Sequence, residues 1–121
     1  MRNYNLLIDD NRTIKNVVEV SGNTMYFETD WVIVRTFDQF CDAIKRLGVP
    51  EMVSFDHDIA DFKDGDERSG HTCAKFLVDV CIDNDLDFPT YFIHSANPVG
   101  RDNIVGYVED YINKREKGFF K

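Results

Sequence analysis

Met52-Val53-Ser54-Phe55-Asp56-His57-Asp58 runs apolar for four residues and then turns abruptly polar. A run this short, bounded by Pro50 upstream and acids downstream, reads as a buried strand whose tip carries the chemistry. The same pattern recurs at Thr90-Tyr91-Phe92-Ile93-His94-Ser95-Ala96-Asn97-Pro98, and Tyr4 to Ile8 ends in Asp9-Asp10. In parallel α/β sheets, ligands bind in the crevice outside the carboxyl ends of the strands. Three strands tipped with Asp-Asp, Asp-His-Asp and His-Ser therefore point to one composite site.

Helical patterns fill the gaps between these strands. Thr36 and Gln39 form a capping-box pattern, and Phe37, Phe40, Cys41, Ile44 and Leu47 repeat along one helix face before Gly48. A second helix is predicted from about Gly70, with Ala74, Leu77, Val78, Cys81 and Ile82 on one face. A third opens at Asn97-Pro98, a cap followed by a first-turn proline. Alternating strands and helices predict an α/β three-layer domain with a mostly parallel sheet. Trp31 to Val34 adds a strand. Lys15 to Thr29 is predicted as an inserted β-hairpin, with Val17, Val18 and Val20 on one arm, Ser21-Gly22-Asn23 as the turn and Met25-Tyr26-Phe27 on the other. Residues 61–70 read as a polar, turn-rich loop beside the site, placed to serve as a lid. At Lys114 to Lys121 a short final strand and a docked terminus stay open as alternatives.

Length and composition set the bounds. The 121 residues fit a single domain, 1–121, and 43% hydrophobic content is that of a globular fold rather than a disordered chain. No stretch is long enough to span a membrane, and the N-terminus lacks a secretory pattern, so a cytoplasmic protein is expected. Cys41, Cys73 and Cys81 are odd in number and lack metal-site spacing, which predicts buried reduced thiols. A net charge of −8 argues against an extended nucleic-acid surface, because each phosphate contact needs a cation to neutralise it. A small anion or an RNA end needs only a local cationic pocket.

The candidate site residues follow from the strand tips. Asp9, Asp10, Asp56 and Asp58 offer oxygen ligands of the kind that suits Mg²⁺ or Mn²⁺. The alternative for the first pair is that they cap a turn. His57 and His94 can act as base and acid about a phosphorus centre, with Asp56 beside them, or join a metal. Ser95, Asn97, Gly100 and Arg101 make an anion-binding helix start, and Gly70 and Thr72 form a weaker one.

At Leu7-Ile8-Asp9-Asp10, Val34-Arg35-Thr36, Ser54 to Asp58, Ser69-Gly70 with Ala74 to Leu77, and His94 to Arg101, the chain resembles a receiver-like family described as the cyclic-phosphate processing receiver domain, found in bacteria and phages. The resemblance implies a flavodoxin-like fold in which Asp9, Asp10 and Asp56 take the metal and phosphoacceptor positions and Ser95 the hydroxyl position. It adds Arg35 to the candidate substrate-binding residues. It also implies action on a cyclic phosphate, such as a cyclic nucleotide or a cyclic-phosphate RNA end. The departures from ordinary receivers are the missing fifth strand with its lysine, a hairpin in place of the first helix, and the two added histidines. The expected activity is a phosphoesterase opening a cyclic phosphodiester. Two alternatives stand beside it: a module that sequesters a cyclic nucleotide without cleaving it, as a viral countermeasure would, and a degenerate phosphoacceptor.

Overall fold

The computed structural model describes residues 4–120. Four parallel strands, β1 (Asn5–Ile8), β2 (Val32–Val34), β3 (Met52–Phe55) and β6 (Thr90–Ile93), form one sheet in the order β2-β1-β3-β6. That is the doubly wound order of flavodoxin-like folds, with its switch point between β1 and β3. The register aligns Ile8 with Phe55 and Phe55 with Ile93, so Asp9, Asp56 and His94 leave the sheet side by side.

Alternation along the strands divides the core. Leu6, Ile8, Val53 and Phe55 face α2 (Phe37–Leu47), α3 (Gly70–Asp83) and α4 (Pro98–Glu116), where Phe40, Ile44, Leu77, Ile104 and Val108 complete the larger cluster. Leu7 faces the other way, onto Val17 and Tyr26. The three cysteines are free and buried. Among the described residues no helix is long and apolar enough to cross a membrane.

The predicted hairpin at 15–29 is replaced by a helix, α1 (Ile14–Ser21), and a short 3-10 turn at Thr24–Phe27. Thr13 and Asn16 form a reciprocal capping box, and Gly22 closes the helix at φ 71°. Ser21-Gly22-Asn23 is thus a helix end followed by a new cap, since the Asn23 side chain accepts from the Met25 N–H. Of the valines that read as strand formers, Val17 and Val18 share one helical face with Ile14, while Val20 points to solvent. Burial of that face against Leu7 outweighs the small cost of β-branched residues in a helix. The first helix of the doubly wound fold is therefore present.

The polar loop also has structure. Phe62–Lys63 (β4) pairs antiparallel with Asp66–Glu67 (β5) across Asp64-Gly65, both at positive φ, as a two-residue hairpin turn requires. Arg68 ties its base to Asp38 and Asp61. Past the end of α4 at Glu116, Phe120 packs on the Tyr111 ring, so the segment up to Phe120 docks; Lys121 lies outside the described residues. Among the described residues the sheet has no fifth strand.

Two helix starts press on the strand tips. A Cβ built on Gly70 would lie 2.0 Å from the Asp56 carbonyl oxygen, a backbone atom that cannot swing aside. Gly70→Ala should therefore destabilise the protein by about 1–3 kcal/mol, the cost of overpacking. Gly106→Ala, in α4 with nothing within 4 Å of the added atom, should instead gain about 0.5–1 kcal/mol. Urea unfolding of the two variants checks the contrast.

Candidate active site

At the carboxyl edge of the sheet Asp9 is fully buried, and donors surround it. Its Oδ1 accepts the backbone N–H groups of Asn11 (3.0 Å) and Arg12 (2.9 Å). Its Oδ2 accepts Arg12 Nη1 at 3.1 Å and faces His94 Nε2 at 3.0 Å. Burial alone would raise the Asp9 carboxyl, but the bonds from His94, Arg12 and Asn11 overcome it and hold the group well below the usual carboxylate range.

Asp56 lies next to it under the opposite balance. Burial, then the negative charge of Asp9, push its pKa up from 3.8 to about 6, against the pull of His94 and Arg12. Arg12 Nη1 reaches Asp56 Oδ2 at 3.3 Å as well as Asp9, so one guanidinium nitrogen serves two carboxylates. Carboxylate oxygens of Asp9, Asp10 and Asp56 lie within 4.8 Å of one another. An all-oxygen set with one member partly open to solvent, and with an Asp56 charge that Arg12 leaves incompletely balanced, fits a hard divalent cation. Asp58 does not join this set. It is exposed, and its Oδ1 pairs with His57 Nδ1 at 2.8 Å while Asn97 Nδ2 reaches its Oδ2 at 3.2 Å.

The two histidines have different surroundings. The His57 side chain is 16% exposed, its ring packs against Gly100, and its Nε2 has no hydrogen-bond partner among the described residues. The His94 side chain is 0% exposed and both ring nitrogens are engaged. Its Nδ1 meets Ser54 Oγ at 2.7 Å, and Ser54 Oγ meets the Tyr26 hydroxyl at 2.7 Å. With a neutral ring, one set of directions satisfies every group: Tyr26 donates to Ser54, Ser54 to Nδ1, and Nε2–H to Asp9. His94 is thus a buried link between Ser54 and Asp9, with neither ring nitrogen open to solvent.

The other expected residues divide similarly. Arg35 donates to the carbonyls of Asp9 (3.1 Å) and Arg12 (2.7 Å), so it braces the loop after β1 instead of lining an open site. At the start of α3, the Gly70 N–H donates to the His57 carbonyl, and Thr72 and Ser69 cap each other. That helix start has spent these donors within the fold. At α4, the Ser95 hydroxyl accepts the Asn97 N–H, and Asn97 accepts the N–H groups of Gly100 and Arg101 through its side chain and carbonyl. Arg101 itself is exposed and lies on a cavity beside β6.

Three residues of this network escape a sequence reading. Arg12 had a signal, being a cation three residues after Asp9. Ser54 had one too, a hydroxyl inside an otherwise apolar strand. Tyr26 had none, because its role depends on a helix and turn that the sequence disguises as a hairpin.

Together the doubly wound sheet and the acidic corner at its switch point define a receiver-like α/β domain. The chain matches the family described as the cyclic-phosphate processing Receiver domain over residues 4–110, and it belongs to that family. No curated protein and no solved structure was found to match it.

The raised Asp56 pKa fixes a sign. Its native value lies above the unfolded 3.8, so between that value and about 6 the folded chain binds more protons, and stability falls as pH rises through this window. In EDTA, Asp56→Asn should stabilise the protein at pH 8 by about 1–3 kcal/mol, with the gain fading as pH drops toward 4. Denaturant melts at both pH values measure this; equal gains would assign the effect to something other than the buried charge.

Proposed function

We propose that the site opens a cyclic phosphodiester of a nucleotide or RNA end, with His57 as general base. The observation that carries this reading is the His57–Asp58–Asn97 chain standing next to the Asp9–Asp10–Asp56 cluster. Asp58 holds the Nδ1 side of the ring, which leaves Nε2 toward solvent to take a proton, and Asn97 fixes Asp58 in turn. A water loses its proton to His57 Nε2 as its oxygen bonds to phosphorus. One ribose P–O bond breaks, and the departing oxygen is protonated by the imidazolium, leaving a phosphomonoester.

Asp10 and Asp56 are the residues that would hold a Mg²⁺ or Mn²⁺ ion, which when bound supplies positive charge for the phosphoryl oxygens. Asp9 carries His94 and Arg12 behind that pair, so His94 enters the chemistry by positioning Asp9 and not by meeting the substrate. Ser95 and Asn97 shape the start of α4 beside the ring of His57. A second reading, capture of a cyclic nucleotide without cleavage, draws on Arg12: a guanidinium already bridging Asp9 and Asp56 can serve an anion with no metal at all.

His57→Ala should cut turnover of a 2′,3′-cyclic nucleotide by about 10²–10⁴-fold with the fold intact, the range for a lost general base. Asp58→Asn should act in the same direction. Wild-type rates in both variants would remove the base from this role, and binding without turnover in the wild type would leave capture as the function.

Mg²⁺ or Mn²⁺ should raise the melting temperature by binding the native state alone, and Asp10→Asn should abolish the shift. A melting curve indifferent to either ion and to EDTA would take the metal out of the proposal.

A further inference from the structure

Among the described residues no fifth strand covers β6, which is the edge of the sheet, and a cavity of about 490 Å³ opens along it. One side is the junction of α1 and the 3-10 turn, with Asn23 and Tyr26. The other is the first turns of α4, with Arg101 and Val105. Tyr91 and Phe92 of β6 lie between them. The volume falls in the range of small-molecule sites, and three of these residues are aromatic.

Three features give this cavity a chemistry. Arg101 is cationic and its guanidinium makes no hydrogen bond or ion pair among the described residues, whereas those of Arg12, Arg35, Arg46, Arg68 and Arg115 all engage partners. The strand itself offers paired donors and acceptors. The His94 N–H turns inward to the Phe55 carbonyl, so by alternation the N–H and C=O of Tyr91 and Ile93 point out of the sheet, where no strand pairs with them. Finally, the inner wall is Tyr26, whose hydroxyl begins the chain through Ser54 and His94 to Asp9. A flat heterocycle with hydrogen-bonding edges and an attached phosphate matches this set: a face for stacking, outward amides for the ring edge, and a guanidinium for the anion.

By contrast, the cavity of about 440 Å³ between the segment leading into β6 and the C-terminal end of α4, beside Phe88 and Ile112, has its Arg115 already paired with Asp85 and Asp87. It lacks a spare cation.

We propose that the β6-edge cavity seats the nucleobase of a nucleoside monophosphate unit, with Arg101 on its phosphate. This deepens the phosphodiester reading and rests on it for the kind of ligand: the nucleobase is the part of the molecule gripped away from the reacting bond, and Arg101 adds a cation on the phosphate itself. It also connects occupancy to the reaction centre, since the base contacts the tyrosine that terminates the buried relay.

Calorimetric titration with adenosine 3′-monophosphate and uridine 3′-monophosphate tests the seat without needing turnover. Trp31, the single tryptophan, stacks 5.3 Å from Tyr26 and gives a local fluorescence readout. At least one nucleotide should bind and change Trp31 emission, and the free nucleoside and inorganic phosphate should each bind more weakly. Arg101→Ala, at an exposed position that leaves the fold intact, should weaken binding about tenfold or more, as loss of one charge-assisted bond does. Val105→Phe, which fills the cavity, should abolish it, while His57→Ala should still bind. Equal affinity in wild type, Arg101→Ala and Val105→Phe, or no binding at millimolar nucleotide, overturns the proposal. Cleavage that persists through His57 without any dependence on Arg101 or Val105 overturns the seat and leaves the phosphoesterase standing. Binding that depends on both residues, with no cleavage of any cyclic phosphate, supports the seat and rejects the chemistry.

Discussion

A buried carboxylate at the end of the first strand governs this corner of the fold. Asp9 has no exposure, so its charge survives only because four donors converge on it: two backbone N–H groups, a guanidinium and an imidazole. Each donor comes from a part of the chain that must already be in place. The backbone pair requires the tight turn into α1, and that turn is held by Arg35 across from β2. The imidazole requires β6 in register, and its far nitrogen requires Ser54 on β3 and Tyr26 from the opposite layer. Removing one partner of such a buried network costs the desolvation of the rest, so the network couples the layers as well as charging the site.

The same arrangement separates two carboxylates chemically. Asp9 is held far below its ordinary pKa, while Asp56, with fewer donors and a negative neighbour, is pushed up to about 6. Adjacent strands thus deliver one acid that is permanently charged and one that titrates near neutrality. Pairs of titratable groups whose environments push their pKa values apart are characteristic of sites that move protons or bind cations.

Much of this was legible in the sequence, for identifiable reasons. Short apolar runs marked the four sheet strands, three of them ending in acids or histidine, and brought Asp9, Asp10 and Asp56 together, because parallel register places strand tips side by side. The helix starts at Thr36 and Asn97 were legible because capping is local chemistry. Residues 15–29 were not, since valine runs and Ser-Gly-Asn serve a hairpin as readily as a helix end, and only burial against Leu7 decides between them. The directions of side chains were also hidden. His94 looks like a partner for His57, but its rotation into the core depends on Ser54 and Tyr26, far away in sequence. Asp58, one of a run of acids, joins His57 and Asn97 instead of the carboxylates.

The small hairpin of β4 and β5 is built on a different footing from the rest. Its strands are two residues each and exposed, and Phe62 at its edge is 65% exposed. What ties it to the body is Arg68 to Asp38 and Asp61, and the Phe37 N–H to Asp61. Apolar burial holds the main core at any ionic strength, whereas attractions at a partly solvated surface weaken as salt shortens the Debye length. Arg68 and Asp61 are both largely buried, so salt screens that pair little, and the contact to the exposed Asp38 is the part of the hairpin's anchor that ionic strength reaches.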